Sequence, residues 1–357
     1  NFDFKKEVLM KSYNSIDSSN MYKSIYDFPD HLHEAKIIGE SIILGNKYSK
    51  INNIVVAGMG GSAIGGDIAR LILQNELKIP MYICRNYKLP NWVNNNSLVI
   101  CSSYSGNTEE SLSSFQDAQK KKAQIIAIST GGVLSKQINE LGLDLITIPS
   151  GLQPRAALAL SFVPMLYLFK SLKLIKIKKI NDLITAIDKI ELMRKIYNKD
   201  SNENPAYLLS KKIYKTLPVI YGENESLAII AVRWKGQLSE NAKMLAYHNE
   251  LPEMNHNEIV GWENNLELIN KISIIWLKDK SDHPRTNIRQ TSTKNIINNL
   301  AARHEIVSVE GSTKVERYLN MIHFGDWVSF WCAILHETDP TPVTKIDKLK
   351  KILSKKS

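Results

Sequence analysis

Five short apolar runs, each followed by a loop or a helical stretch, constrain the fold of this chain more than any other feature. They lie in its first half, at 54–57, 81–84, 98–101, 124–129 and 143–148. Strands buried on both faces of a parallel sheet have continuous apolar runs of this kind, whereas strands with one wet face alternate. Strands that alternate with helices predict an α/β fold with a doubly wound parallel sheet.

The same alternation restarts, more weakly, in the second half. Strands are predicted at 219–221, 272–277 and 305–309, and helices at 226–247, 288–302 and 315–335. Between the halves, residues 151–205 have a helical pattern that ends in a polar break at 201–205. We therefore predict two similar doubly wound domains in tandem. The first covers residues 1–153 and includes N-terminal helices, 154–205 form a helical connection, and 206–357 form the second domain with a C-terminal helix.

The composition fits two globular domains. Of 357 residues, 43% are hydrophobic and 23% charged, which excludes a disordered chain. Three cysteines without CxxC spacing exclude a disulfide scaffold. The strongly apolar, uncharged stretch 156–169 is shorter than the roughly 20 residues of a spanning helix, so a buried helix is predicted. Because the first residues also lack a signal-peptide core, we expect a cytoplasmic protein with no membrane partner.

The net charge of +10 allows attraction to phosphorylated ligands or nucleic acid. The basic residues are spread along the chain, with mild clusters at 176–179 and 348–356. No helix-turn-helix, RNA-recognition signature or basic-aromatic stripe is visible. We therefore predict no nucleic-acid partner.

The loop Gly58–Asp67 follows the first strand and opens a helix. Glycines let the backbone approach an anion, and the helix N-terminus offers unpaired N–H groups. The spacing Gly58-x-Gly60-x-x-Ala63 also fits the dinucleotide pattern, but Arg85 stands where a ribose-binding acidic residue is expected. Phosphate binding, NADP binding and a helix–strand crossing that only glycines allow all remain open on this pattern.

A second loop, Ser102–Thr108, reads SSYSGNT and lies between the third strand and a helix. Its hydroxyl and backbone groups offer many donors to one phosphate. It is not a Walker A loop, because the Gly-Lys-Ser/Thr ending is missing. The density of donors favours a phosphate site over an ordinary polar turn that caps the helix.

The motifs VVAGMGGSAIGGD and SSYSGNTEE, in a double α/β layout, resemble the sugar isomerase (SIS) domains of phosphosugar isomerases. QPRAAL, SENAKM, NHNEIVGWE and IDKLKKIL further resemble one subgroup, the bifunctional phosphoglucose/phosphomannose isomerases. The motifs extend from Gly58 to Leu353, nearly the whole chain. The resemblance implies a SIS-type, flavodoxin-like fold. It also implies substrate and phosphate contacts at Gly61, Ser62, Ser103, Ser105 and Thr108.

Aldose–ketose isomerisation moves a proton between C1 and C2 of an open-chain sugar. It needs a base, an acid/base pair for ring opening and positive charge for the oxyanion. The resemblance assigns the base to Glu240, ring opening to His256 and enediolate stabilisation to Arg155. It also implies that His256 reaches the site from the neighbouring subunit of a homodimer. By pattern alone, Glu240 is a solvated helix residue with Lys243 three residues on.

The resemblance assigns the ring-opening lysine to Lys350, with Lys348 and Lys345 as alternative registers. Thr341 lies near a threonine that the family places by the sugar; the segment reads DPTPV here, and Thr341 is left outside the predicted site. No cofactor and no metal are predicted, since His31-x-His33 has no third ligand at zinc spacing.

The expected function is a metal-free isomerase that interconverts glucose 6-phosphate and mannose 6-phosphate with fructose 6-phosphate through a cis-enediol. One alternative is a phosphosugar-binding protein without catalysis. The joint presence of Glu240, His256 and Arg155, and the lack of a DNA-binding domain, argue against it. Another is an NADP-dependent oxidoreductase that uses the Gly58–Ala63 loop. That alternative leaves the serine loop unexplained.

Overall fold

The computed structural model describes residue 13 and residues 15–355. They form two compact units. The N-terminal unit comprises Asp27–Ile190 with Thr313–Glu316, and the C-terminal unit comprises the described residues before Asp27, Glu191–Ser312 and the residues from Arg317 onward. Each unit contains one parallel sheet, so the predicted fold class is confirmed. The domain limits at 153 and 205 stay a prediction.

The strands of the two sheets are numbered here in the order of the chain. In the N-terminal unit they are β1 Asn53–Ala57, β2 Met81–Cys84, β3 Ser97–Ser103, β4 Gln124–Ser129 and β5 Asp144–Thr147. In the C-terminal unit they are β6 Leu217–Glu223, β7 Tyr247–Leu251, β8 Ile272–Leu277 and β9 Arg303–Val307.

The α-helices of the described residues surround these sheets. They are α1 Met21–Tyr26, α2 Phe28–Glu40, α3 Gly60–Leu73, α4 Glu109–Lys120, α5 Gly132–Glu140, α6 Leu158–Ser171, α7 Lys178–Tyr197, α8 Pro205–Ile213, α9 Leu227–Glu240, α10 Leu266–Ile269, α11 Pro284–Ile296, α12 Lys314–Leu335 and α13 Thr344–Leu353. Within the described residues, no helix has both the length and the hydropathy that a bilayer crossing requires.

The N-terminal sheet has the order β2-β1-β3-β4-β5, with every pair parallel. The chain moves from β1 outward to β2 and then returns to the other side of β1. This reversal makes the β1/β3 junction a topological switch point, where ligands bind beyond the carboxyl ends of the strands.

The long uncharged segment is a buried helix, as predicted. Every residue of α6 from Leu158 to Phe169 is buried, and α2 and α3 pack against it. A helix that is apolar all round must be enclosed by other elements. Close packing reaches the backbone at Gly39, where an added Cβ would collide with the ring of Tyr167.

The C-terminal sheet has the order β7-β6-β8-β9, also parallel throughout. Counted within the unit, this is 2-1-3-4, the order of the first four strands of the N-terminal sheet. The second half is therefore the copy of the first that the sequence pattern indicated, with one strand fewer.

One predicted element is wrong. The sequence pattern extends a helix to Tyr247, but α9 ends at Glu240 and β7 begins at Tyr247. β7 is an edge strand with one neighbour, and only its last residue, Leu251, is fully buried. A strand of this kind needs no apolar run, so the pattern used to find strands gave no signal there.

Candidate active site

The two loops that the sequence singles out meet at the carboxyl edge of the N-terminal sheet. The backbone N–H of Tyr104 donates to the Ser62 hydroxyl at 3.1 Å. Gly58 lies so close to β3 that an added Cβ would be 2.8 Å from the Ser102 carbonyl oxygen. The glycine loop after β1 and the serine loop after β3 therefore form one surface at the switch point.

Hydrogen bonds within the serine loop hold its shape. The Ser103 hydroxyl donates to Thr108 Oγ1 at 3.1 Å, and the N–H of Asn107 donates to Ser105 Oγ at 3.2 Å. Gly106 has φ +68°, and an added Cβ would collide with the Gly131 carbonyl, so glycine is required there. The loop is fixed by its own polar groups and by a close neighbour.

Donors remain for an anion. Across residues 13 and 15–355, the backbone N–H groups of Ser105 and Thr108 donate to no protein acceptor. Thr108 is the N-cap of α4, but its hydroxyl does not cap the helix. These N–H groups and the positive end of the α4 dipole suit a phosphate.

The turn that contains Arg155 approaches the same edge. An added Cβ at Gly61 would collide with the Pro154 carbonyl oxygen, so this approach depends on glycine. The Tyr104 hydroxyl oxygen accepts a hydrogen bond from the Leu152 N–H at 3.0 Å, and burial raises the pKa of this phenol. Arg155 itself is 4% exposed. The structure thus brings its main chain beside the predicted phosphate loops.

The NADP alternative loses its main support. The Arg85 guanidinium forms an ion pair with Asp67, the carboxylate at the end of the glycine-rich motif. An arginine can accommodate the 2′-phosphate of NADP, and in this structure that arginine is paired with a carboxylate.

Glu240 is the half-buried last residue of α9, in the C-terminal unit. Buried polar groups spaced four residues apart, two on this helix and one at its C-cap, bond to α12, so they share one helix face. The contacts are Arg233 Nη2 to Asp326 Oδ2 at 2.7 Å, Gln237 Nε2 to Asp326 Oδ1 at 2.9 Å and Asn241 Nδ2 to Ser329 Oγ at 3.0 Å. Because the last contact involves the residue after Glu240, the end of the helix is held in place.

His256 lies in the loop after β7, and its imidazole is exposed. The residues around it are fixed. Asn255 Nδ2 donates to Thr293 Oγ1 at 2.7 Å, and the Glu258 carboxylate accepts from the Tyr221 hydroxyl and from Asn249 Nδ2. Burial raises the pKa of Tyr221, which keeps this phenol protonated as a donor. The loop presents His256 outward on a rigid support.

Glu240 and His256 lie at opposite edges of the C-terminal sheet. α9 runs back from the carboxyl end of β6, so Glu240 lies near the start of β7, whereas His256 lies beyond the end of β7. The five residues of β7 span about 16 Å. The topology of one unit therefore does not bring these two predicted residues together.

Lys350 lies on α13, a helix whose residues are exposed from Thr344 onward. Lys345 and Lys348 are exposed on the same helix, so burial does not distinguish the three registers. Thr341, just before this helix, is buried, and its N–H donates to Asp339 Oδ1 at 2.9 Å.

Two residues near the predicted site were missed in the sequence. One is Tyr104, which joins the glycine loop to the turn of Arg155. Its position within the serine loop could have indicated a role there. The other is Lys243, whose ammonium donates to the main-chain oxygen of Glu240. No local pattern indicates such a bond.

The described residues contain no cluster of three or more His, Cys, Asp or Glu side chains suited to a metal ion. The metal-free mechanism stays a prediction, because the arrangement of these side chains does not test how the reaction proceeds.

We expect Ser105→Ala to raise the KM for a sugar phosphate by about tenfold or more. A hydrogen bond to a charged group contributes roughly 1.5–3 kcal/mol, and the Ser105 hydroxyl is one of the exposed donors of the loop. Steady-state kinetics and binding of inorganic phosphate measure the effect. Ser113→Ala is the control, because Ser113 lies within α4 and its hydroxyl donates to the Tyr87 carbonyl, not to the loop. Equal KM values for both variants would contradict the assignment.

Comparison with known proteins identifies relatives over most of the chain. The family described as "Bacterial phospho-glucose isomerase C-terminal SIS domain" matches residues 202–353. The chain is 44% identical to a bifunctional phosphoglucose/phosphomannose isomerase of Caldicellulosiruptor bescii, over 94% of this chain and 99% of that protein. It is 36% identical to a protein of the same name from Aquifex aeolicus, over 85% and 90%.

Among solved structures, a hypothetical protein from Thermus thermophilus superposes with a TM-score of 0.72. The superposition covers 98% of this chain and 96% of that one. Its sequence identity of 14% means that this likeness concerns the fold alone.

Proposed function

The chain belongs to the bifunctional phosphoglucose/phosphomannose isomerase family, and we propose that it interconverts glucose 6-phosphate and mannose 6-phosphate with fructose 6-phosphate. It is an enzyme, an aldose–ketose isomerase. The observation that supports these substrates most directly is the joined surface of the glycine and serine loops, beside the turn of Arg155. This surface offers hydroxyl and N–H donors to a phosphate, and a guanidinium lies in the adjoining turn.

In the proposed mechanism, Gly61, Ser62, Ser103, Ser105 and Thr108 bind the substrate and its phosphate. His256 and Lys350 transfer the protons that open the sugar ring. Glu240 removes the proton from C2 of the open-chain aldose, which gives a cis-enediol(ate), and returns it to C1 to form the ketose. Arg155 stabilises the oxyanion that develops at the carbonyl oxygen.

The two aldoses differ only in the configuration at C2. Removal of the C2 proton abolishes that difference, so glucose 6-phosphate and mannose 6-phosphate give the same enediol. One base can therefore serve both reactions when the pocket lets either face of C2 meet it.

The enzyme acts as a homodimer in which His256 comes from the second subunit. Two features support this part of the proposal. His256 is exposed on a fixed loop, and within one unit it lies at the sheet edge opposite to Glu240. A contact between subunits removes the need for these groups to meet within one chain.

The enzyme is further proposed to work without metal or other cofactor, in the cytoplasm, in glycolysis and gluconeogenesis. Its partners are sugar 6-phosphates, with no nucleic acid and no membrane.

Turnover of glucose 6-phosphate and mannose 6-phosphate to fructose 6-phosphate tests the function, and addition of EDTA tests the metal-free part. We expect both aldoses to react and both rates to be unchanged by EDTA, since a base, a guanidinium and a ring-opening pair supply the chemistry. A rate lost in EDTA and restored by a divalent ion would contradict the metal-free mechanism. A folded protein that binds the sugar phosphates without turnover would favour a non-catalytic binding protein.

A further inference from the structure

Lys243 lies three residues after Glu240 and connects two segments of the C-terminal unit. Its ammonium donates to the main-chain oxygen of Glu240 at 2.6 Å and to the Pro340 carbonyl oxygen at 2.9 Å. The second bond spans 97 positions of sequence, so it is a tertiary contact and not a feature of the helix end alone.

The first of these bonds meets a need of the helix. The last carbonyl groups of an α-helix have no partner within the helix and carry the negative end of its dipole. An ammonium satisfies one of them and is electrostatically favourable there. Because this carbonyl belongs to Glu240, the bond acts on the main chain of the proposed base itself.

The second bond fixes where that main chain lies. Pro340 immediately precedes Thr341, which is buried and bonded to Asp339. One ammonium therefore sets the distance between the end of α9 and the segment 339–341. Within that segment, the Thr341 N–H donates to the Asp339 carboxylate.

The backbone of Lys243 is consistent with a specific role. Its φ is +55°, in the left-handed region that residues other than glycine seldom adopt. Such residues persist where the surrounding structure holds them, and they occur often at functional sites. The same conformation at Lys122, φ +55°, provides a matched comparison elsewhere in the chain.

We propose that Lys243 is a positioning residue for the isomerase, whose ammonium holds the main chain of Glu240 at a fixed distance from the Pro340–Thr341 segment. The proposal rests on the role proposed for Glu240. A base must lie within hydrogen-bonding reach of the proton that it removes, and a misplacement of about 1 Å costs up to about 100-fold in rate.

The test compares Lys243→Gly, Lys243→Met and Lys243→Arg in the full chain. Glycine removes the ammonium and suits the left-handed backbone, so the fold is kept while the two bonds are lost. Methionine keeps the apolar stem, and arginine keeps donors for both carbonyls. Lys122→Gly makes the same change at a site with the same φ, outside the proposed site.

For Lys243→Gly and Lys243→Met we expect kcat to fall by about 10- to 100-fold, with KM within about threefold of the wild-type value. Lys243→Arg recovers most of this loss, and Lys122→Gly has the wild-type kcat. Thermal unfolding of Lys243→Gly is expected close to the wild-type midpoint, because glycine relieves the left-handed backbone while the two hydrogen bonds are lost.

A wild-type kcat in Lys243→Gly and Lys243→Met would overturn the inference. So would a loss of kcat that follows the loss of thermal stability across the three variants without recovery by arginine, because that result indicates a structural role alone. Glu240→Gln, measured in parallel, separates this inference from the proposed function. If that variant keeps its turnover, the assignment of the base has failed, whatever Lys243 does.

Discussion

Replacement of Glu240 by glutamine is expected to lower kcat by about 10²- to 10⁴-fold on both aldose phosphates, the usual contribution of a general base. Glutamine has nearly the same shape but cannot accept the C2 proton. The hydrogen bonds of Arg233, Gln237 and Asn241 to α12 do not involve the Glu240 carboxylate, so the helix end keeps its position. Turnover on glucose 6-phosphate and mannose 6-phosphate measures the effect.

Substrate affinity separates a lost base from a lost site. Binding of the sugar phosphate to Glu240→Gln is expected to remain close to wild type, because the phosphate contacts lie on the N-terminal unit. Glu140→Gln is the matched control, since Glu140 is also the last residue of a helix and is exposed beside Lys136. Wild-type turnover in Glu240→Gln would show that another group removes the proton.

Mixed dimers of Glu240→Gln and His256→Asn are expected to regain about a quarter of the wild-type activity, although each variant alone has little. Random pairing of equal amounts gives half mixed dimers, and each mixed dimer has one site with both native groups. The reason is the topology of the C-terminal unit, which places the two side chains at opposite edges of the sheet. Subunits are exchanged by co-refolding, and fructose 6-phosphate formation is measured.

A second mixture distinguishes shared sites from sites built within one chain. Wild type mixed with the double variant Glu240→Gln/His256→Asn gives mixed dimers in which shared sites each lack one native group. Activity then falls to about a quarter of that of an all-wild-type sample, whereas sites within one chain give about half. The second value, together with no recovery in the first mixture, would contradict the shared site.

The α/β class of this protein could be predicted from local pattern. Runs such as Ile54–Ala57 and Leu98–Cys101 are apolar because they are buried on both faces of a parallel sheet. Burial on both faces requires consecutive apolar residues, which can be recognised in the sequence. The buried helix α6 was predictable for the same reason. The donor-rich serine loop could also be predicted, since its polar residues are close together in the chain.

The roles of Glu240, His256, Arg155 and Lys350 were not readable from local pattern. Each is a common residue type at an ordinary position, and their assignment came from resemblance. They stay predictions until the variants are measured. β7 was not predicted because an edge strand with one neighbour needs little apolar surface. Its sequence, YHNEL, contains no apolar run.

The sequence by itself determined the alternation of strands and helices, the apolar runs of the sheets and the chemistry of the two loops. Each of these features depends on residues that are neighbours in the chain. Only the tertiary structure decided which of these parts meet. The strand order brings Ser62 to Tyr104, and the absence of a side chain at Gly61 admits Pro154. Lys243 joins Glu240 to Pro340 across 97 positions. Such contacts depend on how distant segments pack, and packing between distant segments leaves no periodic signal in either one.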